Sequence, residues 1–196
     1  MASRTDELAL LGTACLLVVA GCGGFGQVNQ GRVVAYDPAK GLITLISETY
    51  GQQAPAMKYG VLPPVTIQIP DDPRQMGPAP RAGRLISVDS SNRKVVIYDP
   101  ATQSFQSIGV NVIARRDGVF PDDPAVKGAA LPKIDRERKA ITVYSPEHRQ
   151  LVTFTVPDEY LGLPAETWEM GDEVRYYYKD PHKAIRLMNV TRAGLS

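Results

Sequence analysis

Met170 to Val190 reads MGDEVRYYYKDPHKAIRLMNV, two strand-like runs joined and preceded by turns. Gly171-Asp172 is a turn dipeptide, and Val174 to Tyr178 is rich in β-branched and aromatic residues, as strands are. Asp180-Pro181 sets a second turn, and the chain then returns as a second strand. The whole has the shape of a closing hairpin in a small β-barrel of the OB or SH3 kind, where closure removes exposed sheet edges. The period of two places Tyr176 and Tyr178 inward with Val174, and turns Tyr177 toward solvent with Glu173 and Arg175.

The same pattern continues upstream. Leu151-Val152-Thr153-Phe154-Thr155-Val156 alternates with period two, Ala140 to Tyr144 is β-branched and aromatic, and no run of ten or more residues carries apolar groups at helical spacing. A recurring turn organises these strands: YDPAKG at Tyr36, YDPATQ at Tyr98, YSPEHR at Tyr144 and YKDPHK at Tyr178. Each joins two strand-like runs and predicts a hairpin. A second recurrence, IPDDP at Ile69, FPDDP at Phe120 and VPDEY at Val156, alternates with the first along the chain. Its acidic residues are expected to cap single helical turns after strands. They do not form a calcium loop, which needs four or more oxygen ligands at set spacing. The alternation implies an internally duplicated β unit. The expected fold is all-β, with antiparallel hairpins forming one or two small OB/SH3-like barrels.

The N-terminal stretch LLVVAGCGGFG, Leu16 to Gly26, supplies an address. The uncharged run from Leu8 to Cys22 is shorter than the roughly 20 residues of a membrane-spanning helix, and it matches the apolar part of a secretory signal. Gly21, Gly23 and Gly26 trace a dinucleotide fingerprint, but the five residues before the next strand leave no room for the helix that would hold the pyrophosphate. Val19-Ala20-Gly21-Cys22 resembles a bacterial lipobox, with Cys22 as the lipidated first residue of the mature protein. The segment before the apolar run departs from the usual basic start, since Asp6 and Glu7 accompany Arg4. In the lipoproteins this stretch resembles, a residue such as Gly23 rather than an aspartate after the cysteine implies the outer membrane over the inner, in a cell that has two.

With Cys22 acylated and Cys15 discarded, the mature chain keeps no thiol for a disulfide, a nucleophile or a metal cage. His148 and His182 each sit beside a basic residue in a turn, which suits solvated residues better than metal ligands. No metal or cofactor is expected. The chain has 22 Lys and Arg against 21 Asp and Glu, with no basic run, which argues against nucleic acid and against binding headgroups by charge.

The segments QGRVVAYDPAKGLITLI, VLPPVTIQIPDDP, YDPATQSF, LVTFTVPDEYLGLPAETWEMGDEVRYYYK and AIRLMNVT together resemble an uncharacterised lipoprotein family of sulfate-reducing bacteria, known as a domain of unknown function. The resemblance implies export and anchoring and brings no catalytic residues. The expected organisation is a signal peptide over 1–21, the lipidated cysteine and tether over 22–30, a first β module over 31–115, a linker over 116–132 and a second module over 133–193. The expected function is that of a lipid-anchored, non-enzymatic envelope protein on the periplasmic face, binding a partner protein or aiding assembly. The alternative is a carrier or sensor holding a small ligand in a barrel mouth. Tyr177, Trp168 and Tyr160 are the candidate partner-binding residues, because large aromatics are enriched at interface hot spots, with Tyr177 the sharpest of them; the alternative is that Trp168 plugs the barrel bottom and the tyrosines pack in the core.

Overall fold

The computed structural model describes residues 26–49 and 58–193, so the lipobox and Cys22 lie outside the described residues. Among these the extended elements are β1 Gln27–Asp37, β2 Leu42–Glu48, β3 Tyr59–Gln68, β4 Leu85–Asp89, β5 Lys94–Asp99, β6 Ser104–Gly109, β7 Asn111–Arg116, β8 Lys133–Asp135, β9 Ala140–Ser145, β10 Gln150–Thr155, β11 Glu173–Asp180 and β12 Lys183–Asn189. The helical elements among them are three single 3₁₀ turns, at Pro73–Gln75, Asp158–Tyr160 and Ala165–Thr167. The fold is all-β and mostly antiparallel, in three sheets.

One five-residue turn builds most of the hairpins. It joins β1 to β2, β4 to β5, β5 to β6, β8 to β9 and β9 to β10. Each copy begins with Asp or Ser (Asp37, Asp89, Asp99, Asp135, Ser145), whose side-chain oxygen accepts an amide two or three residues on. Asp99 takes the amide of Ala101 at 2.9 Å, Asp89 that of Asn92 at 2.9 Å and Asp135 that of Arg138 at 3.0 Å. Each ends on a left-handed residue that swings the chain into the next strand: Gly41, Arg93, Gln103, Lys139 or Arg149. The side chain of Asp or Ser competes for local amides and so favours this turn over a continued ladder. All four Tyr-containing turns of the sequence sit between paired strands, the last of them joining β11 to β12. Asp72 caps its 3₁₀ turn through the amide of Arg74, whereas Asp123 caps an irregular turn and Asp158 lies inside its turn without capping it.

The three sheets differ in construction. Strands β1, β11, β12, β3 and β2, in that order, close into a five-stranded ring. Its closing seam is a single parallel pair, Lys183 opposite Gln68, extended where the Gly77 amide donates to the carbonyl of Leu187 at 2.9 Å. Val33, Ile43, Leu45, Ile67, Val174, Tyr176 and Leu187 fill the inside of the ring. The other two sheets, β4–β5–β6 and β7–β10–β9–β8, are open and pack on each other through Leu85, Val95, Ile97, Ile108, Ile141, Val152 and Phe154. The opposite face of β4–β5 presents Ile86, Val96 and Tyr98 to Val34, Ile46 and Tyr59 on the outside of the ring. The middle sheet is thus covered on both sides, which is why Lys94–Asp99 reads KVVIYD, a continuous apolar run, while β10 alternates.

The pairing crosses the expected division into modules 31–115 and 133–193. The ring takes β1–β3 from the first and β11–β12 from the second, and β7 pairs with β10 across 116–132. The physical reason is that neither half of the ring can close alone, since β1 has to hydrogen bond to both β2 and β11. The closed ring stands alone among the three sheets, so a second barrel is not formed.

Two glycines make the junction possible. β1 carries a bulge between Val33 and Ala35, and there the Val33 carbonyl accepts the Gly83 amide at 3.1 Å while the Val33 amide donates to Asp172 at 2.9 Å. A Cβ at Gly171 would lie 1.9 Å from the Val33 carbonyl oxygen, and one at Gly83 would lie 2.2 Å from that of Glu169. Three backbones therefore meet closely where the chain leaves the ring and returns to it.

Candidate ligand cleft

Tyr160, Trp168 and Tyr177 do not form one surface. The 3₁₀ turn Ala165–Thr167 drives Trp168 into the core between the two open sheets, where it is 0% exposed and its ring centroid lies 6.1 Å from that of Phe154. Of the two places open to Trp168, surface hot spot or core, the structure has the core, where burying its large apolar area outweighs keeping it at the surface. Tyr160 packs half-buried against the same core. Tyr177 does sit on the outer face of the ring, as period two required, but it is half-buried because Gly26 lies against its ring. Tyr176 is buried inside, and Tyr178, on the same face, packs beside it against the ring core with ring centroids 5.2 Å apart.

The structure assembles a different site, a half-open cleft of about 470 Å³ between one end of the ring and the sandwich. The ring side contributes Pro78, Arg81 and Arg192, and the loop between β7 and β8 contributes Pro121, Val126 and Leu131. The segment expected to be a linker, 116–132, thus forms a wall. The floor is Trp168, Glu169 and Met170. The indole N–H of Trp168 is fully buried and has no hydrogen-bond partner, an uncommon state for a buried tryptophan. Glu169 is held above the usual carboxylate range chiefly by burial, with Asp172 and Glu166 pushing the same way and Arg81 and Arg192 opposing.

Asp172 fixes the ring side of this cleft. Buried at 5% exposure, it accepts the Arg81 amide at 2.9 Å and the Asn189 side-chain amide at 2.8 Å, and pairs with Arg192 at 2.9 Å. These charge-assisted bonds hold the end of β12 against the segment leading into β4.

A second polar constellation lies on the opposite side of the junction. Arg32, on the outer face of β1, is 2% exposed and reaches the β9–β10 turn, pairing with Glu147 at 2.7 Å and donating to the Gly171 carbonyl at 3.0 Å. Its guanidinium lies 4.5 Å from the centroid of the Tyr59 ring. The Tyr59 hydroxyl is buried without a partner, and burial above all, with the neighbouring Glu173 carboxylate, pushes its pKa far up. Glu173 in turn binds Lys58 at 3.1 Å and accepts from the side chain of Gln30. Arg32 in the run GRVVAY was the one visible signal of this network, a charge inside an otherwise apolar strand. His148 and His182 lie exposed in turns, and among the described residues no group of three or more His, Cys, Asp or Glu is placed to hold a metal ion. Nor, among them, is any helix long and apolar enough to cross a membrane.

These features define an all-β chain built from a closed ring and an inserted pair of sheets, with a cleft between them. The chain belongs to the family described as domain of unknown function DUF4881, whose model matches residues 24–195. No curated protein and no solved structure matches it.

Proposed function

We propose that the protein is a lipid-anchored, non-enzymatic module of the bacterial envelope, acylated at Cys22, facing the periplasm from the outer membrane, and binding an extended segment of a partner protein in the cleft. The lipobox and Gly23 support the anchoring, and the family resemblance points the same way. The single observation that carries the binding reading is the half-open cleft of about 470 Å³, whose walls come from separate stretches of the chain. The apolar, proline-bearing walls and the basic Arg81 at the rim suit a strand-like segment with an acidic flank.

We also propose that the ring is an OB-type barrel, with residues 85–155 inserted between its third and fourth strands. The support is the strand order, with a parallel pair between the third and fifth ring strands. In such barrels the face of the second and third strands is a common ligand surface. Here Ile46 and Tyr59 on those strands are covered by the chain's own inserted sheet, and the inside of the ring is filled. Both facts move the binding site away from the barrel and into the cleft.

The test is capture of partners by the acylated full-length protein from detergent-solubilised envelope. Arg81→Glu reverses the charge at the rim and is expected to lower capture of a segment with an acidic flank roughly five- to tenfold. Leu131→Arg at the wall should abolish it. Undiminished capture by both variants would sink the reading. The volume of the cleft lies in the range of small-ligand sites, which favours the carrier as a second reading. Native mass spectrometry would then show a bound small mass that Leu131→Arg loses.

A further inference from the structure

The outer face of β1, β11 and β12 carries a patch that neither the ring core nor the inserted sheets cover. The register sets Val28 opposite Tyr177 and Tyr177 opposite Arg186 in one row, with Gln30, Arg175 and Met188 in the next. Val28 is 61% exposed, and Ile185 and Met188 are both more than 40% exposed. Ile185 occupies the bulge where β12 slips against β11. Arg175 is braced by Gln30 at 2.9 Å, and among the described residues neither Arg175 nor Arg186 forms an ion pair. Three exposed apolar side chains interleaved with two unpaired arginines form a contiguous surface, not a scatter of single residues.

The place where the chain enters this face decides what covers it. Gly26 lies directly on the Tyr177 ring, so near that a Cβ there would fall 2.2 Å or less from the ring. The described chain therefore begins on the patch itself, at Gly26. Cys22 is only four residues earlier, and four residues reach at most about 15 Å. An acylated Cys22 holds this face, and not the far side of the sandwich, within that distance of the bilayer.

We infer that the outer face of β1, β11 and β12 rests on the membrane, with Arg175 and Arg186 against the phosphates of anionic phospholipid headgroups and Val28, Ile185 and Met188 in the headgroup layer. This rests on the proposed acylation of Cys22. A nearly neutral chain is not drawn to headgroups by charge alone, but a tethered one meets them at high effective concentration, so a small patch suffices to set its orientation. The consequence is directional: the membrane takes the patch, and the partner takes the cleft.

The experiment uses the acylated full-length protein in vesicles of phosphatidylethanolamine and phosphatidylglycerol. Spin labels are placed singly at Val28→Cys, at Met188→Cys and, on the distant β7, at Ile113→Cys, itself 56% exposed. A nickel-chelating lipid in the same vesicles should relax the labels at 28 and 188 several-fold more than the one at 113. The double substitution Arg175→Glu with Arg186→Glu should bring the three together while the acyl mass of the N-terminal peptide stays in place. Equal relaxation at all three positions in acylated protein overturns the inference alone. Labels at 28 and 188 that are shielded in native envelope but not in vesicles would assign the face to a protein and overturn it too. An N-terminal peptide without acyl mass overturns the anchoring reading, and this inference with it.

Discussion

The ring and the inserted sandwich are held together by opposite means. The sandwich, residues 85–155, pairs mostly through successive hairpins, and its core of Leu85, Val95, Ile97, Ile141, Val152, Phe154 and Trp168 is apolar. The ring draws its strands from the two ends of the chain: Gln30 meets Arg175 across 145 positions, and the polar residues it buries include Gln30, Arg32 and Asn189, with Asp172 at its end. Local pairing needs little loop closure before contacts form, whereas closing the ring joins strands from the two ends of the chain. The fold is therefore most vulnerable at the junction, where the ring depends on single polar groups and close backbone approaches.

The largest effect should come from breaking that junction at its closest approach. Gly171→Ala sets a methyl 1.9 Å from the Val33 carbonyl oxygen, where backbone, not a flexible side chain, has to give way. We expect a loss of about 3 kcal/mol or more, read as a lower denaturation midpoint. Gly109→Ala is the control from the sandwich, since nothing lies within 4 Å of its Cβ, and it should change stability by no more than about 0.5 kcal/mol. Equal effects at the two glycines would erase the contrast between the regions.

The next effect concerns the polar staple. Glu147→Gln leaves Arg32 buried with its charge unpaired, and removing one member of a buried pair typically costs about 3–5 kcal/mol. Because the Glu147 side chain is 26% exposed, solvent reaches the pair and the cost should be about 2 kcal/mol. Adding Arg32→Met to Glu147→Gln should recover most of it, since the charge then disappears from the interface. If the double variant is no more stable than Glu147→Gln alone, the pair is not the fastening between ring and sandwich.

What was legible in the sequence follows the same line. Strands and hairpins showed in Leu151 to Val156 and in the Tyr-containing turns because alternation and turn chemistry are local. Two copies of the same turn, Asp89 to Arg93 and Asp135 to Lys139, were missed because they lack proline and end on Arg or Lys where a glycine would announce the left-handed bend. The faces of Tyr176, Tyr177 and Tyr178 are readable from period two, whereas the bulge at Ile185 on the facing strand is not. The modular division failed because ring closure is a property of residues far apart. The cleft was invisible for that reason too: Arg81, Leu131, Trp168 and Arg192 come from four separate stretches.

The smallest effects belong to the turns, which the two regions share and which therefore sharpen the comparison. Local amides, that of Lys40 for Asp37, of Asn92 for Asp89 and of Ala101 for Asp99, hold these carboxyls below their ordinary value. A lowered folded pKa means stabilisation that is present above the unfolded value of about 4 and lost as pH falls through the folded one. Stability should therefore drop on acidification below about pH 4, and Asp99→Asn with Asp89→Asn should flatten that part of the profile. The last residue of the turn gives a change of opposite sign. Gln103 holds φ at 50°, a conformation that costs a side-chain-bearing residue about 1 kcal/mol or more, whereas Gly41 occupies the same position in the ring without that cost. Gln103→Gly should stabilise by only about 0.5 kcal/mol, because the added freedom of glycine in the unfolded chain offsets part of the relief. Gly41→Gln should lose at least as much, and more if its side chain meets Gln68 and Ile69, which already stand within 3.3 Å of a Cβ there. Thermal midpoints moving the same way in both variants would show that the five turns are not equivalent and that ring and sandwich do not share one hairpin design.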